Sequence, residues 1–404
     1  MVPSTSTAVR AWCRLVIALT AFAIPPLCSP ASAASPKANS AQTDVTTKAR
    51  EAILMDAASG AILFQHRADE PMSPASMSKL MTLALVFKAL KAGRLKLDDQ
   101  VLMSVNAWRR GGAPSGTSAM FVPVKTKETV DNLLQGIIVQ SGNDAAIALA
   151  EGIAGSEETF AALMTQEARL LGMKNSTFRN ATGLYHPEHL TTARDLAILA
   201  RHLITEYPDQ YYRYSVREFP YRKHKFINRN PLLGASLGVD GMKTGHIKEA
   251  GYGIVASAKQ ENRRLILVIN GLQRPEERKN EGIRLLEWGF KNISDIKLFD
   301  AGQVIGQARV WGGTRMWVPL QAKGDVTIVL PRYPANQKLK AEIIYQGPLK
   351  PPLRKGAEVA RLRVTSTSNA VSEVPLYAGE DVDGGGVVRR GLDSLLHMAF
   401  RWLP

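Results

Sequence analysis

Cysteine is absent from this chain beyond its first segment. Both cysteines of the 404 residues, Cys13 and Cys28, precede Ala34, so a chain trimmed there carries no disulfide, thiolate metal site or cysteine nucleophile. A second long apolar run is also missing. After Leu15–Ile24 nothing approaches the ~20 apolar residues of a membrane span, and 45% hydrophobic composition suits soluble domains. His186 and His189 have ligand-like spacing, but they flank Pro187-Glu188 in a turn and lack a third ligand. Metal chemistry is therefore rejected and no cofactor is called for. Acidic charge is the minority: 51 Lys and Arg face 36 Asp and Glu, a net +15. No nucleic-acid motif accompanies that excess, so nucleic acid is not the expected partner; anionic lipid head groups or acidic wall polymers are.

What is present begins with a leader. Arg10 and Arg14, the apolar run Leu15–Ile24, and Ala31-Ser32-Ala33 read as a secretory signal peptide, 1–33, cleaved after Ala33. The run is too short for an uncleaved anchor and is interrupted by Pro25-Pro26. Pro25-Pro26-Leu27 also lacks the small residues that would make Cys28 a lipid-bearing site. Residues 34–48 are small and polar and read as a disordered lead-in.

From 49 to 296 the pattern is strands, a helical block, then strands and a helix. Ala52–Met55 and Ala61–Phe64 suggest a hairpin turned by Gly60. A helix follows, with Ser73 as its cap, Pro74 at its first position and Leu80, Leu83, Phe87 and Leu90 as its buried stripe. Further helices are expected at 130–139, 145–153, from a Ser156 cap to Gly172, and over 191–207, the last stopped by Pro208-Asp209. Residues 252–259 and 264–272 form a second hairpin, and 278–290 a closing helix. This is α+β layering. Residues 297–380 hold short strands separated by Gly and Pro, a small β domain with strands at 308–311, 315–320, 326–330, 339–345 and 359–364. A linker and amphipathic helix, 381–404, follow Gly384-Gly385-Gly386, with Arg389, Arg390 and Arg401 near the apolar positions.

Three short motifs carry chemistry. Ser76 and Lys79, in Ser76-Met77-Ser78-Lys79, share one helix face, so the amine can remove the serine proton. A neutral lysine requires desolvation and a second cation, for which Lys243 is the expected source. Ser141 and Asn143, in Ser141-Gly142-Asn143, offer a hydroxyl to relay a proton and an amide to bind peptide or Lys79. In Lys243-Thr244-Gly245 the first two residues can bind a carboxylate, and glycine lets a strand lie against an extended peptide. Alone, each motif also reads as a helix cap or solvated charge, and Ser-x-x-Lys arises by chance roughly once or twice in ~400 residues. Their ordered recurrence makes the difference.

The trio resembles the active-site serine penicillin-recognising enzymes. Gly142, Asp144-Ala145-Ala146 and Val239-Asp240-Gly241-Met242 ahead of Lys243 look like the low-molecular-weight D-alanyl-D-alanine carboxypeptidases of peptidase family S11. The resemblance spans nearly the whole mature chain. It implies a DD-peptidase-like catalytic domain, an antiparallel sheet plus helical block, followed by the β domain and a membrane-anchoring helix. It also implies removal of the terminal D-alanine from peptidoglycan stem pentapeptides, acylation by β-lactams, and a periplasmic site on the inner membrane. In this resemblance Ser76 is the nucleophile, the backbone amides of Ser76 and His246 form the oxyanion hole, and Arg278 helps hold the substrate carboxylate; Arg278 also reads as a solvated helix charge. The rivals are a β-lactamase, which lacks an identifiable deacylating glutamate, a D,D-endopeptidase, and a wall-binding or β-lactam-sensing protein that acylates without turnover.

Overall fold

The computed structural model describes residues 14–15, 45–331, 338–366, 371–387 and 391. The expected signal peptide lies outside them except for Arg14–Leu15, a two-residue strand, β1. So do the lead-in up to Asp44 and, apart from Gly391, the terminal helix from Val388 onward.

Two compact units divide the chain, one spanning Val45–Lys291 and the other containing Asn292–Pro404. The first begins before Ala52, because Thr47 Oγ1 and the Lys48 amide both donate to the Glu281 carboxylate, at 2.9 and 3.2 Å. Strands β2 (Glu51–Asp56) and β3 (Ile62–His66) form the expected first hairpin. Helix α1 (Lys79–Lys91) follows, then β4 (Gln100–Leu102), α2 (Val105–Gly111), β5 (Lys127–Thr129), α3 (Val130–Gln135), α4 (Asn143–Ala154), α5 (Glu157–Leu170) and α6 (Ala193–Glu206). Caps fix several starts: the Ser156 and Thr192 side chains accept the amides of Thr159 and Asp195.

The chain then forms α7 (Pro208–Tyr211), the hairpin β6 (Glu218–Tyr221) and β7 (His224–Ile227), strands β8 (Val239–Ile247), β9 (Gly251–Gln260) and β10 (Arg263–Leu272), and α8 (Glu277–Lys291). Their antiparallel sheet runs β3-β2-β10-β9-β8. Its inner strands are apolar on both faces because both are covered. Ile53, Met55, Ile266 and Val268 join the helical core, while Leu54 and Leu265 meet α8 at Gly289.

Helix α6 ends at Glu206, ahead of Pro208 as expected, and Pro208 then opens a separate short element, α7, where its missing N–H costs nothing. One expectation is corrected: Ser73 does not cap α1. Pro74 leads into a 3-10 turn, Ala75–Ser78, with no side-chain cap, and α1 starts only at Lys79. Ser76 thus lies just ahead of the helix.

From Ile293 to Ala378 the second unit is built of strands. Strands β11 (Ile293–Phe299), β12 (Val304–Arg309), β13 (Trp317–Gln321), β14 (Val326–Pro331), β15 (Leu339–Ile344), β16 (Glu358–Ser366) and β17 (Val371–Ala378) pair as β15-β16-β17-β13-β12 and β11-β14. Ala308, Val318, Leu320, Leu362 and Leu376 lie in its own apolar core.

Candidate active site

The nucleophile turn and α1 place Ser76 and Lys79 together. Lys79 Nζ donates to the Thr182 carbonyl at 2.6 Å and stands 3.0 Å from Ser76 Oγ. The lysine is fully buried, whereas Ser76 keeps partial exposure. Burial pushes the Lys79 pKa down to about 7; the Arg229 guanidinium adds to the shift, and Glu157 and Asp144 oppose it.

A left-handed turn presents the second motif. Helix α3 passes into one π turn, Gly136–Gln140, which ends at Ser141 with φ 64°, and α4 begins at Asn143. Gly142 is sterically fixed, since a side chain there would press on Met120 and the Asp144 carboxylate. That buried carboxylate accepts the Met120 amide at 2.8 Å and the Val122 amide at 3.3 Å, tying the preceding loop over the turn. The Asn143 amide donates to Ser118 O at 2.7 Å, and its side-chain nitrogen to Thr117 Oγ1 at 2.9 Å. Ser141 Oγ and Asn143 Oδ1 are buried without a hydrogen-bond partner. Both atoms are available to a water or to a polar group of a bound molecule.

Strand β8 supplies the third motif from the sheet edge. Lys243 and Thr244 are buried, 2% and 5% exposed. Gly245 faces the nucleophile turn: a Cβ there would lie 2.8 Å from Pro74 O, 3.0 Å from Met77 Cγ and 3.2 Å from Ala75 Cβ. The glycine thus admits the 3-10 turn against the strand, a demand different from the peptide contact expected from sequence. Burial, then Lys79, Arg229 and Arg278, push the Lys243 pKa down. An arriving carboxylate reverses that sign by offering Lys243 a counter-charge. His246 is exposed and stacks on Tyr252 at 3.9 Å, and the Arg278 guanidinium lies 5.1 Å from the same ring.

Arg229 carries no sequence motif. It donates to Ser118 Oγ at 2.6 Å, which places it beside the Asn143 turn, and its charge bears on Lys79, Lys243 and Arg278. Lys243, the cation expected to act on Lys79, does interact with it, and Arg229 adds a further positive charge that depresses Lys79. Only folding brings Arg229 there, from the loop after β7. Thr182 was equally invisible, because it acts through its backbone carbonyl.

Glu157 carries the nearby carboxylate that a β-lactamase reading would need. Its oxygens are committed, one to the Ala181 amide at 3.1 Å and the other to Arg110 at 2.9 Å. His189 Nδ1 accepts the Arg179 amide at 3.2 Å and His186 Nδ1 the Glu188 amide at 3.1 Å, so each has a local backbone partner.

A family model for D-alanyl-D-alanine carboxypeptidases matches residues 37–273. The chain belongs to this peptidase S11 family. A model for the C-terminal domain of penicillin-binding protein 5 matches residues 294–384. Among the curated relatives of this carboxypeptidase-family chain, D-alanyl-D-alanine carboxypeptidase DacC of Escherichia coli (strain K12) is 39% identical over 88% of the chain and 89% of the relative. Penicillin binding protein 5 from Haemophilus influenzae superposes with a TM-score of 0.70 at 37% identity, covering 84% of this chain and 99% of that one. Penicillin-binding protein D2 from Listeria monocytogenes, solved in an ampicillin-bound form, aligns with 62% of this chain and 100% of its own, at 29% identity and a TM-score of 0.53.

Proposed function

We propose that the protein is a serine-type carboxypeptidase that removes the terminal D-alanine from peptidoglycan stem pentapeptides. The observation that carries this reading is the 3.0 Å contact between Ser76 Oγ and a buried Lys79 whose pKa lies near neutrality. As Ser76 attacks the penultimate D-alanine carbonyl, Lys79 Nζ takes its proton. Ser141 Oγ passes a proton to the amine of the departing D-alanine. Water, deprotonated with the help of Lys79, then cleaves the acyl ester and restores Ser76.

Lys243, Thr244, Arg278 and Arg229 supply the carboxylate contacts that select a chain end over an internal peptide bond. Strand β8 ends the catalytic sheet, so its outer backbone edge suits an extended peptide lying alongside it. Asn143 binds that peptide from the facing turn. The amides of Ser76 and His246 hold the oxyanion, a contribution worth roughly 3–4 kcal/mol of transition-state stabilisation.

β-Lactams acylate the same serine, because their strained amide imitates the scissile bond while their leaving group stays tethered. Labelled penicillin should modify the peptide containing Ser76 and spare the Ser76→Ala variant. Label on another residue would defeat the assignment.

We further propose export and peripheral membrane attachment. The 1–33 leader supports secretion to the periplasm, and the apolar spacing of Val388, Leu392, Leu395, Leu396 and Leu403 beside three arginines supports an interfacial anchor on the outer face of the inner membrane. No helix among the described residues is long and apolar enough to cross a membrane. Deleting 387–404 should free the protein from anionic vesicles while leaving hydrolysis intact; a deletion variant that still sediments with them would remove the anchor.

A further inference from the structure

We infer that Asn180 is a positioning residue that holds the Thr182 carbonyl on Lys79 and thereby aims the base at Ser76. The inference rests on the Ser76–Lys79 reading above and adds what sets the pair's geometry.

Asn180 is 7% exposed, and both the oxygen and the nitrogen of its side-chain amide are hydrogen-bonded. Its Oδ1 accepts the Thr182 amide at 3.1 Å, the Thr182 hydroxyl at 3.0 Å and the Gly183 amide at 2.7 Å. Its Nδ2 donates to Leu184 O at 2.9 Å. One side chain thus closes the whole 180–184 turn, leaving the Thr182 carbonyl directed at Lys79 Nζ.

Surrounding elements brace the same turn. Thr82, one helical step beyond Lys79 on α1, donates its hydroxyl to Ala181 O at 2.7 Å, and Glu157 on α5 accepts the Ala181 amide. Gly183, at φ +80°, packs so closely that a Cβ would lie 1.9 Å from Ala75 O, the carbonyl preceding the nucleophile. The turn therefore touches the residues leading to both members of the pair.

The chemical consequence follows from the donor inventory. A carbonyl oxygen can only accept, so one N–H of Lys79 must point at Thr182. In the neutral amine this keeps the lone pair off the Thr182 direction and leaves it two positions about the last bond of the side chain, one of which faces Ser76 Oγ. Without that anchor the amine gains a third position, which also turns hydrogens to the serine. The charges that face Lys79 are Arg229, Glu157, Asp144 and Lys243; none of them imposes this direction.

The test uses the purified full chain and a fluorescent penicillin, with acylation rate and pre-acylation binding measured separately across pH. The unmutated protein must acylate at Ser76; otherwise the underlying reading fails, not this one. Asn180→Ala should lower the acylation rate constant about 10²-fold, the size of a general-base contribution, with binding changed less than about threefold. Asn180→Asp keeps the acceptor oxygen and adds negative charge near Lys79, so the rate should recover at high pH with its acid limb displaced upward. An acylation rate in Asn180→Ala within about threefold of the parent would overturn the proposal. So would a parallel loss of rate and binding in both variants, or an Asn180→Asp rate with an unmoved acid limb.

Discussion

Lys79 Nζ is shared between the Ser76 hydroxyl and the Thr182 carbonyl, at 3.0 and 2.6 Å, inside a pocket that excludes water from the lysine. That relationship converts an ordinary ammonium into a base near neutral pH. It is made by burial first and by Arg229 second.

The pH dependence follows directly. Lys79 acts in its neutral form, which is the minority below about 7 and the majority above it. Penicillin acylation should therefore fall about tenfold per pH unit below that point and level off above it. Stopped-flow acylation rates between pH 5 and 9 check this; a flat profile would remove Lys79 as the titrating base.

Two charge changes should move the acid limb in opposite directions. Arg229→Gln removes a cation that lowers the Lys79 pKa, so the limb shifts to higher pH, and KM for a peptide with a free C-terminal carboxylate rises. Glu157→Gln removes an anion that raises it, so the limb shifts to lower pH. Shifts of the same sign in both variants would contradict the electrostatic origin of the base.

Much of this site was legible in the sequence, and what was not has a physical reason. The Ser76, Ser141 and Lys243 motifs are local patterns, and the α1 stripe and the β9–β10 hairpin follow apolar periodicity. Arg229 has no local signature because its role depends on where the loop after β7 folds. Strand β6 alternates but is only four residues long and contains Pro220, while β17, with Pro375, and β8, with Gly241 and Gly245, show no clean alternation. Ser73 and Pro74 imitate a helix start, but the left-handed Ala75, φ 47°, intervenes before α1.

Gly245→Ala should test why the third motif ends in glycine. The added methyl meets Pro74 O, Met77 and Ala75 at or below 3.2 Å, so β8 or the nucleophile turn must shift. A displacement approaching ~1 Å should cost acylation about 10²-fold. The measurement is acylation rate alongside thermal unfolding; parental acylation would show that the close approach is not required.

The most direct measurement is release of free D-alanine from a diacyl-Lys-D-Ala-D-Ala tripeptide by the purified protein, followed over many turnovers. Steady release that exceeds the enzyme concentration and disappears in Ser76→Ala is the predicted result. No release from the unmutated protein, or undiminished release from Ser76→Ala, would contradict a carboxypeptidase built on this serine.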